Sequence, residues 1–116
     1  MSRSTLDYLK HILDEFEFLA TKTAGLSQEE FLQDAILQRA FARSLEIVGE
    51  AVKNLSDDFR QRNEHIDWKS MAGMRDRLTH QYFAVDYEIV WDTVINKVPK
   101  LRAQIEQIVR IETRSS

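Results

Sequence analysis

The stretch Ile36-Leu37-Gln38-Arg39-Ala40-Phe41-Ala42-Arg43-Ser44-Leu45-Glu46-Ile47-Val48-Gly49-Glu50-Ala51-Val52-Lys53-Asn54-Leu55 decides the fold. Leu37, Phe41, Leu45, Val48, Val52 and Leu55 recur at steps of three and four, which puts them in one stripe along a helix. A second stripe, Ile36, Ala40, Ile47 and Ala51, runs beside it. Two adjacent apolar stripes need two neighbours. The helix is therefore central in a bundle, or it lends one stripe to a second copy of the chain. Gly49 in its interior costs about 1 kcal/mol relative to Ala, and close approach of another backbone would account for it. Upstream, Ser27-Gln28-Glu29-Glu30 has the form of a capping box, in which Ser27 and Glu30 satisfy each other's free backbone N–H groups. The helix is predicted to run from Ser27 to about Asn54.

The flanking sequence extends the same pattern. Leu6, Leu9, Leu13, Phe16 and Ala20 give a first helix over about Thr5 to Thr23, with Gly25 placed for a left-handed C-cap. Ser56-Asp57-Asp58 restarts a short turn through about Arg62. Asp67 is an N-cap for a third helix through about Thr79, whose apolar face is Trp68, Met71, Met74 and Leu78. Asp86 can cap a fourth. From there Tyr87, Trp91, Val94, Val98, Leu101, Ile105 and Ile108 form a heptad-like seam. Pro99 interrupts that seam, either kinking one helix or, as the favoured reading, breaking it and starting a fifth. With 3 Gly and 1 Pro in 116 residues and no alternating β pattern, the fold class is all-α, an up-and-down bundle of four to five helices. Residues 1–112 make a single helical domain and residues 113–116 a frayed tail.

Composition excludes several kinds of protein. There is no Cys, which removes disulfides, thiolate catalysis and cysteine metal sites. The apolar run Leu6 to Leu19 is broken by charges and resembles neither a signal peptide nor a membrane span, so a cytoplasmic location is expected. The net charge of −3 argues against coating nucleic acid by bulk charge but allows a local basic site.

Reactive side chains crowd into Met74-Arg75-Asp76-Arg77-Leu78-Thr79-His80-Gln81-Tyr82-Phe83. On a helical wheel Arg75 falls on the apolar side, where a guanidinium must snorkel out or pair with a carboxylate such as Glu50. Asp76 and His80 are four apart and share a face, so the carboxylate can orient the imidazole for proton transfer or form an ordinary surface pair with it. Arg75 and His80 are five apart and diverge by roughly 140° on a straight helix. To act on one group, the helix must end near Thr79 or a second copy must complete the site. His and Arg together suit cleavage of an RNA phosphodiester by its own 2′-OH, which needs no metal. Arg39 and Arg43 read first as a salt-bridged face with Glu46 and Glu50. Together with Arg77 they are also candidate RNA contacts. His11 reads as a surface or edge residue. His65 and Asp67 lack a third ligand, so no metal is expected.

The segment Arg75-x4-His80-x-Tyr82 resembles the RX4HXY motif of HepT-like toxins, in the HEPN group of ribonucleases. The likeness extends in order through Phe31-Leu32-Gln33-Asp34, Ile47-Val48-Gly49-Glu50-Ala51, Ile66-Asp67-Trp68, Ala72-Gly73-Met74-Arg75, His80-Gln81-Tyr82-Phe83, Val85-Asp86 and Trp91. The resemblance implies a HEPN domain, a homodimer with the motif near its two-fold axis, and a metal-independent, cofactor-free endoribonuclease with Arg75 and His80 catalytic. Asp76 then holds the polar position where the family often has Asn, and its role as orienter is open. The resemblance also implies a type VII-like toxin–antitoxin module, in which an MntA-like nucleotidyltransferase antitoxin transfers AMP to Tyr82. Two other readings stay open: a non-catalytic module that binds a nucleotide or nucleotidyltransferase, and a dimeric bundle in which an Arg75–Glu50 pair only fixes register.

Overall fold

Ser2, Ser27, Asp34, Ser56, Asp67 and Asp86 each precede a helix, and each accepts a backbone N–H from the first turn on its side-chain oxygen. These caps satisfy donors that a helix start leaves unpaired. In a computed structural model, which describes residues 1–115, they open α1 (Arg3–Thr23), α2 (Gln28–Leu32), α3 (Ala35–Lys53), α4 (Asp57–Arg62), α5 (Trp68–His80) and α6 (Tyr87–Asp92). The seventh helix, α7 (Val98–Ser115), follows without an interruption in helical backbone. A 3₁₀ turn, Tyr82–Ala84, lies between α5 and α6. The fold is all-α, and among the described residues no helix is long and apolar enough to cross a membrane. Residues 113–115 continue α7, and residue 116 lies outside the described residues.

The predicted helix from Ser27 to Asn54 is two helices. Asp34 stops the first and caps the second, taking the Leu37 N–H at 3.0 Å. Gln38 then donates its side-chain amide to the carbonyls of Phe31 and Leu32, at 3.2 and 3.0 Å, and so fills acceptors at the end of α2. The capping box at Ser27 forms as expected.

Pro99 does not break the chain's last helix. A π-helical turn, Thr93–Lys97, joins α6 to α7, and the Val98 N–H reaches back to the Thr93 carbonyl. The wider turn ends two residues before Pro99, which cannot donate a hydrogen bond and whose ring crowds the preceding turn. Helical backbone therefore runs from Tyr87 through Ser115.

Helix α3 is the central element, packed against α1 on one side and α5 on the other, with α7 lying along α1. Its first stripe is buried at Phe41, Leu45, Val48 and Val52. Phe41 stacks on Phe31 at 4.9 Å between ring centres, and Phe31 in turn meets Trp91 at 5.3 Å, so α2 is fastened between α3 and α6. The second stripe is only partly covered. Ala51 is buried and Ala40 and Ile47 are half-buried, whereas Ile36 is 81% exposed.

Gly49 marks the closest approach of α3 and α5. A Cβ there would lie 2.2 Å from the Arg75 Cβ and 2.8 Å from the Met71 carbonyl oxygen. Both neighbours are fixed near the α5 backbone and cannot simply swing away. Gly49→Ala is therefore expected to lower stability, since overpacking typically costs about 1–3 kcal/mol and exceeds the gain in helix propensity of about 1 kcal/mol. Denaturant unfolding at pH 7 measures this, and a variant as stable as the parent would show that the two helices separate freely.

Candidate active site

Three buried residues seat α5. Trp68 packs on Phe59 and donates its indole N–H to the Asn63 carbonyl at 3.0 Å, and Met71 and Leu78 follow along the same side. This anchoring carries Arg75 over Gly49. Its side chain is 27% exposed, and its guanidinium meets Glu50 at 3.1 Å and the neighbouring Asp76 carboxylate at 3.3 Å. The Arg75–Glu50 pair is thus formed, and the apolar side of the helix wheel holds a paired cation.

Asp76 does not orient His80 through its carboxylate, as its spacing suggested. The carboxylate turns instead to the Lys53 ammonium of α3 and to Arg75. The Lys53 hydrogen bond, seconded by Arg75 against an opposing desolvation effect, holds the Asp76 carboxyl below its ordinary range. His80 is held by backbone: its Nδ1 lies 2.9 Å from the Asp76 carbonyl oxygen. A carbonyl only accepts, so Nδ1 carries the hydrogen in the neutral ring and Nε2 keeps its lone pair. That Nε2 has no protein partner among the described residues, and the side chain is exposed.

Helix α5 stays helical through His80, one residue beyond the expected end, so Arg75 and His80 keep the divergence of roughly 140° within one chain. Beyond it Tyr82 and Phe83 are 78% and 79% exposed, edge to face at 5.8 Å. Tyr82 is a surface residue and has no part in the core.

Arg75 opens into a cleft of about 600 Å³ between α1 and α5, floored by α3. Ile47 and Ala51 of the second α3 stripe lie on that floor, and Tyr8 and His11 form the α1 wall. Arg43 lines the same cleft and sits 3.8 Å from Glu46. Arg43 and Arg75 are thereby brought together. Arg39 is exposed and outside the cleft, and Arg77 borders a separate hollow with Leu78, Gln81 and Asp86. His65 and Asp67 line a further hollow against Trp68. Among the described residues no group of three His, Cys, Asp or Glu side chains is placed to hold a metal. Sequence reasoning placed His11 at the surface, where it lies, but did not see that it and Tyr8 wall a cleft, and it missed Lys53 and Thr79. Lys53 had a readable signal, standing three residues after Glu50 on the face that meets Arg75.

The Asp76 contribution has a definite sign with pH. A depressed carboxyl stabilises the folded state above its unfolded value of about 4, and the effect fades as pH falls through the lower folded value. Asp76→Asn is expected to melt below the parent at pH 7 and to match it near pH 2. Melting curves across that range decide it; a gap that persists in acid would mean that the Lys53 pairing contributes nothing.

The family described as Ribonuclease HepT-like matches residues 9–108. A protein of Caldanaerobacter subterraneus subsp. tengcongensis named "Putative RNase TTE0752" is 50% identical over 105 residues, covering 90% of this chain and 94% of that one. The "Probable ribonuclease HepT" of Thermococcus cleftensis is 42% identical over 108 residues, covering 93% and 98%. A third relative, "Putative RNase MJ0127" of Methanocaldococcus jannaschii, is 46% identical over 103 residues, covering 89% and 85%. No solved structure matches. With its helical fold, its Arg75–His80 segment and relatives aligned over nearly their whole length, the chain belongs to the HepT-like ribonuclease family.

Proposed function

We propose that this ribonuclease is a metal-independent endoribonuclease toxin whose site is completed by a second copy of the chain. Residues 1–112 form one HEPN-like domain, and it works in the cytoplasm. The observation that carries the reading is the state of His80. Its Nδ1–H is committed to a backbone carbonyl, and its Nε2 is free at the surface. That is the state a general base requires. Because α5 is unbroken through His80, a single chain does not aim Arg75 and His80 at one phosphate. A homodimer supplies two imidazoles and two guanidinium groups around the two-fold axis. The open upper part of the second α3 stripe, at Ile36, favours a second copy as well.

In this mechanism one His80 takes the proton of the RNA 2′-OH. The 2′-oxygen forms a bond to phosphorus, and the bond from phosphorus to the 5′-oxygen breaks. The other protomer's His80, in its protonated form, gives a proton to the departing 5′-oxygen. The products are a 2′,3′-cyclic phosphate and a 5′-hydroxyl end. Arg75 holds the non-bridging oxygens as negative charge builds, exchanging its carboxylate partners for phosphate. Asp76 positions Arg75 and Lys53 and leaves the His80 tautomer to the backbone.

Control falls to a nucleotidyltransferase antitoxin of the MntA type, which transfers AMP from ATP to the Tyr82 hydroxyl and releases pyrophosphate. The exposure of Tyr82 supports this, since its hydroxyl is accessible without unfolding. The added phosphate and nucleoside would repel RNA from Arg75 and block the approach to His80.

The purified protein is expected to sediment as a dimer and to cut RNA in EDTA, leaving cyclic phosphate ends. His80→Ala and Arg75→Ala are each expected to reduce kcat/KM by at least about 100-fold, the usual scale for losing an acid–base group or a charge stabiliser. A His80→Ala protein that cleaves as fast as the parent would overturn the mechanism. Tyr82→Phe is expected to keep RNase activity and to escape the antitoxin when the two are co-expressed, read as growth arrest of the host.

A further inference from the structure

The cleft beside Arg75 is sorted by charge and by polarity. Cations stand at Arg75 on its α5 wall and at Arg43 on the rim of its α3 floor, while that floor carries apolar Ile47 and Ala51 between Glu46, paired with Arg43, and Glu50, paired with Arg75. With its carboxylates paired to the two arginines, the apolar strip between them suits an uncharged ring, and the phosphate falls to the arginines. The α1 wall presents two aromatic rings, Tyr8 and His11, edge to face at 80° with centres 6.4 Å apart. Tyr8 is half-buried and packed against the core, so its ring is held in place, and His11 is exposed. The volume of about 600 Å³ falls within the range of small-ligand sites. Unpaired RNA bases are bound by stacking on Tyr and His rings, a mode that tolerates any base.

We propose that Tyr8 and His11 form a nucleobase subsite, taking the unpaired base of the nucleotide whose phosphate Arg75 engages. This rests on the ribonuclease reading above and adds to it where the substrate lies. A phosphate at Arg75 with its base across the α3 floor places RNA along the α1–α5 cleft and requires the strand to be single at that point. Tyr8 and His11 are positioning residues here, and the proton transfers stay with His80.

Steady-state cleavage of a single-stranded oligoribonucleotide by parent, Tyr8→Ala and His11→Ala tests this. Each loss is expected to raise KM by roughly 5- to 150-fold, the span of base–aromatic stacking, with kcat held within about twofold. His11→Ala guards against misfolding, since that side chain is exposed. A second measurement uses an uncleavable 2′-O-methyl oligonucleotide and its fully abasic counterpart, with anisotropy as the readout. The parent should bind the first more tightly, and both variants should lose most of that difference. This binding does not depend on which residue moves protons, so it separates failure of the subsite from failure of the His80 mechanism. KM unchanged in both variants, a fall in kcat alone for His11→Ala, or loss of the dimer in either variant would each overturn the proposal.

Discussion

The crossing of α3 and α5 at Gly49 is the constraint on which the candidate site depends. A missing side chain lets the Arg75 Cβ sit 2.2 Å from where a Gly49 Cβ would have been, closer than two such atoms can approach. Only this approach brings the Arg75 guanidinium within reach of Glu50 while Asp76 reaches Lys53. Four charges from two helices interlock there, and each is partnered. Close-packed interiors transmit small displacements instead of absorbing them. A shift at Gly49 is therefore a shift of the guanidinium, of Asp76 and, through the Asp76 carbonyl, of the His80 ring.

Under the proposed mechanism the same network explains how an acidic chain can carry a residue that engages phosphate. Arg75 is matched by carboxylates in the unliganded protein, so it is neither a naked buried cation nor a beacon for every polyanion. A substrate phosphate has to compete with Glu50 and Asp76 for the guanidinium fork. Such exchange is favourable only where other contacts add to it. On that mechanism attraction by charge alone is weak, and recognition would rest on shape and on groups away from the phosphate.

Much of the fold was legible because it is written in local chemistry. Ser27, Ser56, Asp67 and Asp86 cap where their spacing says they should, and the first α3 stripe is the core stripe. Gly49 announced a close approach and has one. The misreadings have different origins. The Asp76 carboxylate goes to the Lys53 ammonium of α3, and only the Asp76 backbone carbonyl meets His80. The split at Asp34 needed Gln38 to fill the carbonyls of α2, a long side chain acting back across a turn. The π-helical turn did leave a trace. Val90, Val94 and Val98 are two successive steps of four, which drift by about 80° on an ideal helix and call for a wider turn before Pro99. The two α3 stripes predicted a helix central in a bundle or lending one stripe to a second copy, and α3 is central, packed on α1 and α5; over Ile47 and Ala51, however, lies a cleft, a feature that only three assembled helices define.

The Tyr82–Phe83 turn has a consequence for how the molecule behaves in bulk. Two large rings stand almost fully in water on a three-residue turn, on a chain whose net charge of −3 gives modest mutual repulsion. Greasy protrusions on weakly charged particles set colloidal behaviour. Together with exposed Ile36, this knob adds apolar surface at which copies of the chain can meet, and ionic strength acts by weakening the repulsion that keeps them apart.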